Sequence, residues 1–301
     1  MLINKGNCIY NLLKRFAYKY FIRFIPDSIW ISLRFRRRMG SWPNLRNPKT
    51  FNEKLQWLKL HDRNPLYTKM VDKYEVKKIV AEKIGEEYVI PTLGVWDKFE
   101  DVDFDKLSDQ FVLKCTHDSG GLVFVRDKAM LDMNTARKKL INCLKMNCYW
   151  SMREWPYKNV KPRIIAEPYM KDKNNDNLPV FKIFNFSGSP RIIQAIQNDK
   201  TPHESIDYFD TEWNRLDMKT NYPNSKIPFE KPSHLTEMLA LSKKLSAGFP
   251  FIRIDLYEIN DKIYFSEYTF YTDAGCVPYS PQKWDYELGN LVKLQDKESM
   301  A

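Results

Sequence analysis

The chain has 301 residues, 43% hydrophobic and 29% charged, which excludes a disordered protein and supplies apolar surface for one large or two smaller domains. Ten glycines and five scattered cysteines (Cys8, Cys115, Cys143, Cys148, Cys276), with no Cys-x-x-Cys pair, exclude a flexible glycine-rich region, a disulfide framework and a zinc knuckle, and point to a reducing compartment. Residues 1–40 hold nine Lys/Arg and one acid and so carry +8 of the net +10, leaving +2 for the other 261 residues; the body lacks the basic stripe of a nucleic-acid-binding domain, and no nucleic acid partner is expected.

In chain order, Ile9, Leu12, Leu13, Phe16, Tyr20 and Phe24 fall at spacings of three and four, with Arg15, Lys19 and Arg23 on the other side. This predicts a basic amphipathic N-terminal arm over residues 1–45. It can make a peripheral contact with an anionic membrane through residues 1–40, or dock on the body with its basic face solvated. No stretch reaches the ~18 uncharged apolar residues of a membrane span. Lys14 and Arg15 interrupt any signal-peptide core, so a cytoplasmic location is expected, with membrane contact at the inner face of the cytoplasmic membrane. A loop with Pro43 and Pro48 follows. Phe51, Leu55, Trp57 and Leu58 predict a short helix, and Val76, Ile79, Val80 and Ile84 a helix from Asp72 to Ile84. Residues 89–95 predict a buried strand and 97–110 an acidic connector.

From residue 111 the texture becomes hairpins. FVLKC (111–115), the turn 116–121 and LVFV (122–125) form the first. A helix from Asn134 to Met146 follows, with Asn134 or Thr135 as its cap. IIAEPYM (164–170) is a strand. VFKIFNF (180–186), the turn SGSP and RIIQAIQ (191–197) form a second hairpin. A helix spans Pro232 to Ala247, and FIRIDLYE (251–258) with IYFSEYTF (263–270) forms the last hairpin. Antiparallel hairpins separated by single helices predict an α+β fold, not a doubly wound parallel sheet.

The chain has no Walker loop, no Rossmann glycine fingerprint, no metal-ligand spacing among its four histidines and no G-x-S-x-G elbow. What it has is charge in apolar strands. In the last hairpin Arg253, Asp255 and Tyr257 share one face. With the turn centred near Asn260, Glu267 falls opposite Arg253 and diagonal to Asp255. Two carboxylates that close need cations, which Arg253 and a Mg²⁺ can supply; a plain Arg–Glu ion pair accounts for the same residues. Lys114 and Lys182 interrupt apolar strands and need anionic partners. The tip Asp118-Ser119-Gly120-Gly121 can lay backbone N–H groups against phosphates, or be an ordinary turn. Glu167, at the end of an apolar strand, can read the polar edge of a nucleotide base, or cap the strand.

In this order the motifs resemble the ATP-grasp superfamily, and specifically its TupA-like (teichuronopeptide biosynthesis) branch, whose members are often labelled polysaccharide-biosynthesis glycosyltransferases. The resemblance rests on NPKTFNEKLQWLKL (47–60), LYTKMVDKYEVKKIV (66–80), FVLKCTHDSGG (111–121), IIAEPYM (164–170), FKIFNFSGSPRII (181–193) and FPFIRIDLYEINDKIYFSEYTF (249–270), and covers roughly residues 35–290. It implies two α+β lobes with antiparallel sheets clasping ATP: a preceding segment 46–110, a first lobe 111–165, a second lobe 166–292 and a tail 293–301. Carried over by position, Lys114 and Lys182 are the phosphate-binding lysines, and Asp118, Ser119, Gly120 and Gly121 the loop over the triphosphate. Glu167 and Tyr169 belong to the adenine-and-ribose hinge, Lys73 is an early nucleotide contact, and Asp255, Glu267 and Thr269 stand at the Mg²⁺ positions. Arg253, with Lys182, acts on the transferred phosphoryl group. Many members carry Asn where this chain has Thr269, a poorer oxygen ligand, so the resemblance does not fix a second Mg²⁺.

The activity implied is an ADP-forming carboxylate–amine ligase that works through an acyl phosphate. It would join an amino acid to a cell-surface glycan or its lipid-linked precursor, with ATP and Mg²⁺ as cofactors. The alternative is a glycosyltransferase using Asp101-Val-Asp103 or Asp103-Phe-Asp105 to hold a metal–nucleotide-sugar. A non-catalytic nucleotide- or membrane-binding module is the third reading.

Overall fold

The computed structural model describes residues 22–118, 120–173, 178, 180–198 and 201–294. Alternating apolar segments become strands β1 (Gly94–Trp96), β2 (Phe111–Cys115), β3 (Leu122–Val125), β4 (Ile164–Pro168), β5 (Val180–Phe186), β6 (Ser189–Gln197), β7 (Ser205–Phe209), β8 (Phe251–Ile259) and β9 (Lys262–Thr269). They pair antiparallel into a four-stranded sheet, β1-β4-β2-β3, and a five-stranded sheet, β7-β6-β5-β8-β9. The helices are α1 (Asp27–Met39), α2 (Phe51–His61), α3 (Leu66–Val71), α4 (Glu75–Ile84), α5 (Met133–Leu144), α6 (Cys148–Met152), α7 (Leu235–Leu245) and α8 (Lys283–Leu291). The architecture is α+β.

Each sheet has its own core. The smaller gathers Phe99, Leu107, Phe111, Leu113, Leu140 and Ile164. The larger gathers Ile183, Ile193, Ile252 and Ile254 of the sheet with Phe51 and Leu55 of α2 and Val76 and Val80 of α4. Residues 46–110 are thus shared: the helices at 51–84 pack with the larger core, and the segment from Phe99 to Leu107 with the smaller. In that segment Val102 is buried and Phe104 packs on the core, while Asp101 and Asp105 are exposed and Asp103 pairs with Lys106 at 2.9 Å.

Local differences from the sequence reading have local causes. The helix expected from Asp72 starts at Glu75, because the Asp72 carboxylate accepts from the N–H groups of Tyr74 and Glu75 and pairs with Arg163 at 2.8 Å. The strand expected over 89–95 shrinks to β1: Pro91 has no N–H to donate, and pairing with β4 starts at Gly94. Asp132, not Asn134 or Thr135, caps α5, accepting from the Thr135 N–H at 3.0 Å. Glu53 and Thr50 close a capping box at the start of α2. Strand β7 and helices α3, α6 and α8 were not anticipated from the sequence.

Of the predicted arm, Ile9, Leu12, Leu13, Phe16, Tyr20, Arg15 and Lys19 lie outside the described residues, as does Ser119. Helix α1 docks on the body through buried Ile31 and Phe35. Trp30 donates to the Ser151 carbonyl at 3.0 Å, and Arg153 donates to the carbonyls of Ile22 and Ile25. Among the described residues no helix is long and apolar enough to cross a membrane.

Candidate active site

The last hairpin sets the site. Its turn is Asn260–Asp261, both with positive φ (51° and 60°), so Ile259 faces Lys262. A bulge between Asp255 and Leu256 then shifts the register by one more residue. Glu267 therefore lies directly opposite Asp255, and Thr269 opposite Arg253, which corrects the expected Arg253–Glu267 pairing. On the other side of β8, Lys182 of β5 is the cross-strand partner of Asp255, with Nζ 3.9 Å from Oδ2. One cation and two carboxylates from three adjacent strands thus converge.

Arg253 sits beneath them, 7% exposed. Its Nε and Nη2 donate to the two Asp255 oxygens at 2.7 and 2.8 Å, and Nη1 donates to Thr272 Oγ1 at 2.8 Å. Nη2 also donates to Thr269 Oγ1 at 3.1 Å and lies 3.7 Å from Glu267 Oε1. The guanidinium expected to act on a phosphoryl group holds Asp255, and the Thr269 hydroxyl expected at a metal position accepts from that guanidinium. Burial opposes both charges of the pair. It pushes the Asp255 carboxyl above its ordinary range, while Asp255, Glu267 and Asp273 hold the Arg253 proton more tightly than usual.

Among the described residues no three His, Cys, Asp or Glu side chains converge on a metal position. The donor set is the pair Asp255 and Glu267, two hard carboxylates on facing positions. It fits an ion such as Mg²⁺, which takes one or two protein carboxylates and completes its shell with water and phosphate oxygens.

The smaller sheet brings a second charged group. Lys114, on β2, pairs with Glu167 Oε2 at 2.5 Å, and Lys77, on α4, pairs with Oε1 at 2.7 Å. Lys77 also donates to the Ile90 carbonyl and Thr92 Oγ1. Burial opposes ionisation of Glu167, but the two ammonium groups outweigh it and hold the carboxyl below its ordinary range. Burial likewise opposes the Lys114 charge, and Glu167, Tyr257 and Glu267 outweigh it and raise its pKa. Tyr257 and Glu267 lie on the other sheet, so the charge of Lys114 is felt between the two sheets. Lys77 was not singled out in the sequence; it lies at the edge of the apolar face of α4, half-buried.

The Gly-containing tip is held from below. Lys73 Nζ donates to the Asp118 carbonyl at 2.7 Å, and its N–H to the Thr116 carbonyl. The Asp118 carboxylate accepts from the thiols of Cys143 and Cys148, both at 3.0 Å, which turns it toward the loop's own support. A Cβ on Gly121 would collide with the sulfurs of Cys143 and Cys115, so close packing demands glycine there, whereas one on Gly120 would meet only Asp118 Oδ2, at 3.2 Å. At the other end of the β2–β3 hairpin from this tip, Tyr169 accepts a hydrogen bond from Arg126 Nε at 3.1 Å and lies edge-on to exposed Phe124, leaving an apolar wall.

Beyond Arg253 lies a group that the sequence reading missed. Thr272, Asp273 and Ala274 follow β9, with left-handed φ of 50° at Asp273 and 54° at Ala274. Buried Gln56 donates to the Ala274 and Gly275 carbonyls, and buried Lys59 donates to the carbonyls of Ala274 (2.7 Å) and Met152 (3.1 Å). Helix α2 thus clamps this turn against Arg253. Glu154, next to α6, shares the region with Lys59, Arg34, Arg253 and Asp273. Burial pushes its carboxyl up to about 7, against the pull of the three cations. The carboxyl binds a proton more tightly folded than unfolded, so its contribution to stability is full below about pH 4.5 and lost as pH rises to about 7. Glu154→Gln is therefore expected to stabilise the protein at pH 8, by on the order of 1–3 kcal/mol, and to have little effect at pH 4.5. Urea unfolding of both proteins at the two pH values checks this; an equal effect at both rules out the raised carboxyl.

Nothing matches among curated proteins. Among solved structures the chain is similar to an L-amino acid ligase from Bacillus licheniformis (14% identity, 78% of this chain and 51% of that one, TM-score 0.43). It is also similar to a D-alanine–D-alanine ligase from Bacillus anthracis complexed with ATP (21%, 67% and 53%, TM-score 0.36) and to a RimK domain ATP-grasp protein from Sphaerobacter thermophilus (10%, 75% and 69%, TM-score 0.40). The chain spans about half to two thirds of the length of these structures. The model of the TupA-like ATP-grasp family matches residues 53–293, which include every charged group of the two clusters. The chain belongs to the TupA-like ATP-grasp family.

Proposed function

We propose that the protein is an ATP- and Mg²⁺-dependent carboxylate–amine ligase that attaches an amino acid to a cell-surface polysaccharide or its lipid-linked precursor. The observation that carries the reading is the placement of Lys182 beside the facing carboxylates Asp255 and Glu267 on one sheet, with Lys114 on the other sheet held by Glu167, in a chain of the ATP-grasp family. Lys114 and Lys182 bind the negative charge of the triphosphate. The backbone at Gly120 and Gly121, supported by Lys73, covers it, and Tyr169 with Phe124 offers the base an apolar wall. Mg²⁺, held by Asp255 and Glu267, would screen the phosphate charge during transfer. Arg253 keeps Asp255 in place.

In the first step a substrate carboxylate oxygen bonds to the γ-phosphorus, and the bond from that phosphorus to the β,γ-bridging oxygen breaks, giving an acyl phosphate and ADP. In the second step an amine nitrogen bonds to the acyl carbon, the acyl C–O bond breaks, phosphate leaves and the nitrogen gives up a proton. Neither step requires a protein nucleophile. The family's teichuronopeptide association supports a glycan substrate. The glycosyltransferase alternative has little support, because Asp101 and Asp105 are exposed and Asp103 is paired with Lys106.

Trapping the acyl phosphate tests the proposal. Incubation with ATP, Mg²⁺, hydroxylamine and a mixture of uronic acids and amino acids is expected to give a hydroxamate detectable by mass spectrometry. A glycosyl product from a nucleotide-sugar, with no hydroxamate, would overturn it.

A further inference from the structure

Helix α1 has two faces. Ile31 and Phe35 are buried on the body, and Asp27, near the start of the helix, is taken by Arg63, Arg153 and the Tyr149 hydroxyl. The opposite stripe is aliphatic and exposed: Ile29 is 52% and Leu33 46% accessible, four residues apart, and Arg36 continues the stripe one turn on. Trp42, 60% accessible in the loop after the helix, joins Ile29 and Leu33 around one shallow hollow of about 330 Å³. Phe24, just before the helix, is 85% accessible.

The segment that carries this apolar patch is strongly basic, and Glu53 of α2, beside the loop, is turned onto the backbone of Asn44 and Lys49. Residues 22–49 contain seven Lys/Arg, and their one acid, Asp27, is already paired inward. Arg23, Arg36, Arg37, Arg38 and Arg46 are exposed. A protein partner matched to this surface would need its own acidic rim around an apolar centre. A bilayer of anionic lipid offers both at once: phosphates at the depth of the guanidinium groups, and acyl chains just below for aliphatic side chains and an interfacial Trp.

We infer that the outer face of α1 and Trp42 form a docking surface for an anionic membrane, with Ile29, Leu33 and Trp42 entering the interface and Arg36 and Arg37 meeting phosphate headgroups. It is separate from the ligase site, and does not depend on that assignment. It would hold the protein at a surface where lipid-linked substrates are found.

Flotation of the full chain with vesicles tests this. Binding is expected to equimolar phosphatidylglycerol/phosphatidylcholine vesicles, to fall steeply between low and physiological salt, and to be absent with phosphatidylcholine alone. The double variant Ile29→Asp/Leu33→Asp is expected to bind at least about tenfold more weakly, as is Arg36→Glu/Arg37→Glu. Circular dichroism confirms that each variant is folded. Trp42→Phe should remove part of the tryptophan quenching caused by brominated lipid. Absence of vesicle binding would overturn the inference. Undiminished binding by the Ile29/Leu33 variant would overturn it too, as would a dimer in light scattering that this variant dissociates.

Discussion

Replacing Asp255 with asparagine is expected to cost about 3–5 kcal/mol of stability, the range for a buried ion pair that loses one partner. The side chain keeps its shape but not its charge. Arg253, 7% exposed and bonded through two nitrogens to that carboxylate, is left with the Thr269 and Thr272 hydroxyls and with Glu267 at 3.7 Å. Glu267 is more accessible, 38% for its side chain, and makes no such bidentate contact with Arg253. Glu267→Gln should therefore leave stability within about 1 kcal/mol of the original. The two carboxylates face each other on one hairpin, yet only Asp255 anchors the buried guanidinium through two hydrogen bonds. Urea unfolding of the two variants at pH 7 separates them, and equal midpoints would refute the asymmetry.

Glu167→Gln has the second large effect, for a different reason. It strips two lysines at once: Lys114 and Lys77 both spend their ammonium groups on this carboxylate. A loss of about 3 kcal/mol is expected at neutral pH. The sign of the pH dependence follows from the lowered Glu167 pKa. Its contribution is present above the ordinary carboxyl range, near pH 4.5, and is lost as pH falls through the lower folded value. The difference between the original protein and Glu167→Gln should thus be largest at neutral pH and shrink in acid. Unfolding at pH 7 and pH 3 checks this; a difference that grows on acidification would contradict the lysine clamp.

The two sheets were legible because hairpins carry a period of two and apolar runs mark their strands. FVLKC, VFKIFNF and FIRIDLYE all became central strands of their sheets. The family resemblance then ordered the site residues along the chain. What the sequence could not carry was register. Counting from a turn centred on Asn260 misses the true centre between Asn260 and Asp261 by one residue of register and cannot anticipate the bulge after Asp255; the two offsets together put Glu267 opposite Asp255 instead of Arg253. Partners distant in sequence were hidden for a related reason. Lys59, Gln56 and Glu154 matter only because the fold folds α2 and the end of α6 against the turn after β9. Lys77 is the exception. Its place at the edge of the apolar face of α4 was a readable sign of a half-buried cation in need of an acid.

The most direct test of the central claim is Mg²⁺-dependent ADP release by the purified protein beside Glu267→Gln, with ATP, amino acids and uronic acids present. ADP release that requires Mg²⁺ and a carboxylate, and falls at least about a hundredfold in a variant with an unchanged unfolding midpoint, is the expected result. Equal turnover by the variant would contradict the account, as would a protein that neither releases ADP nor binds ATP in calorimetry.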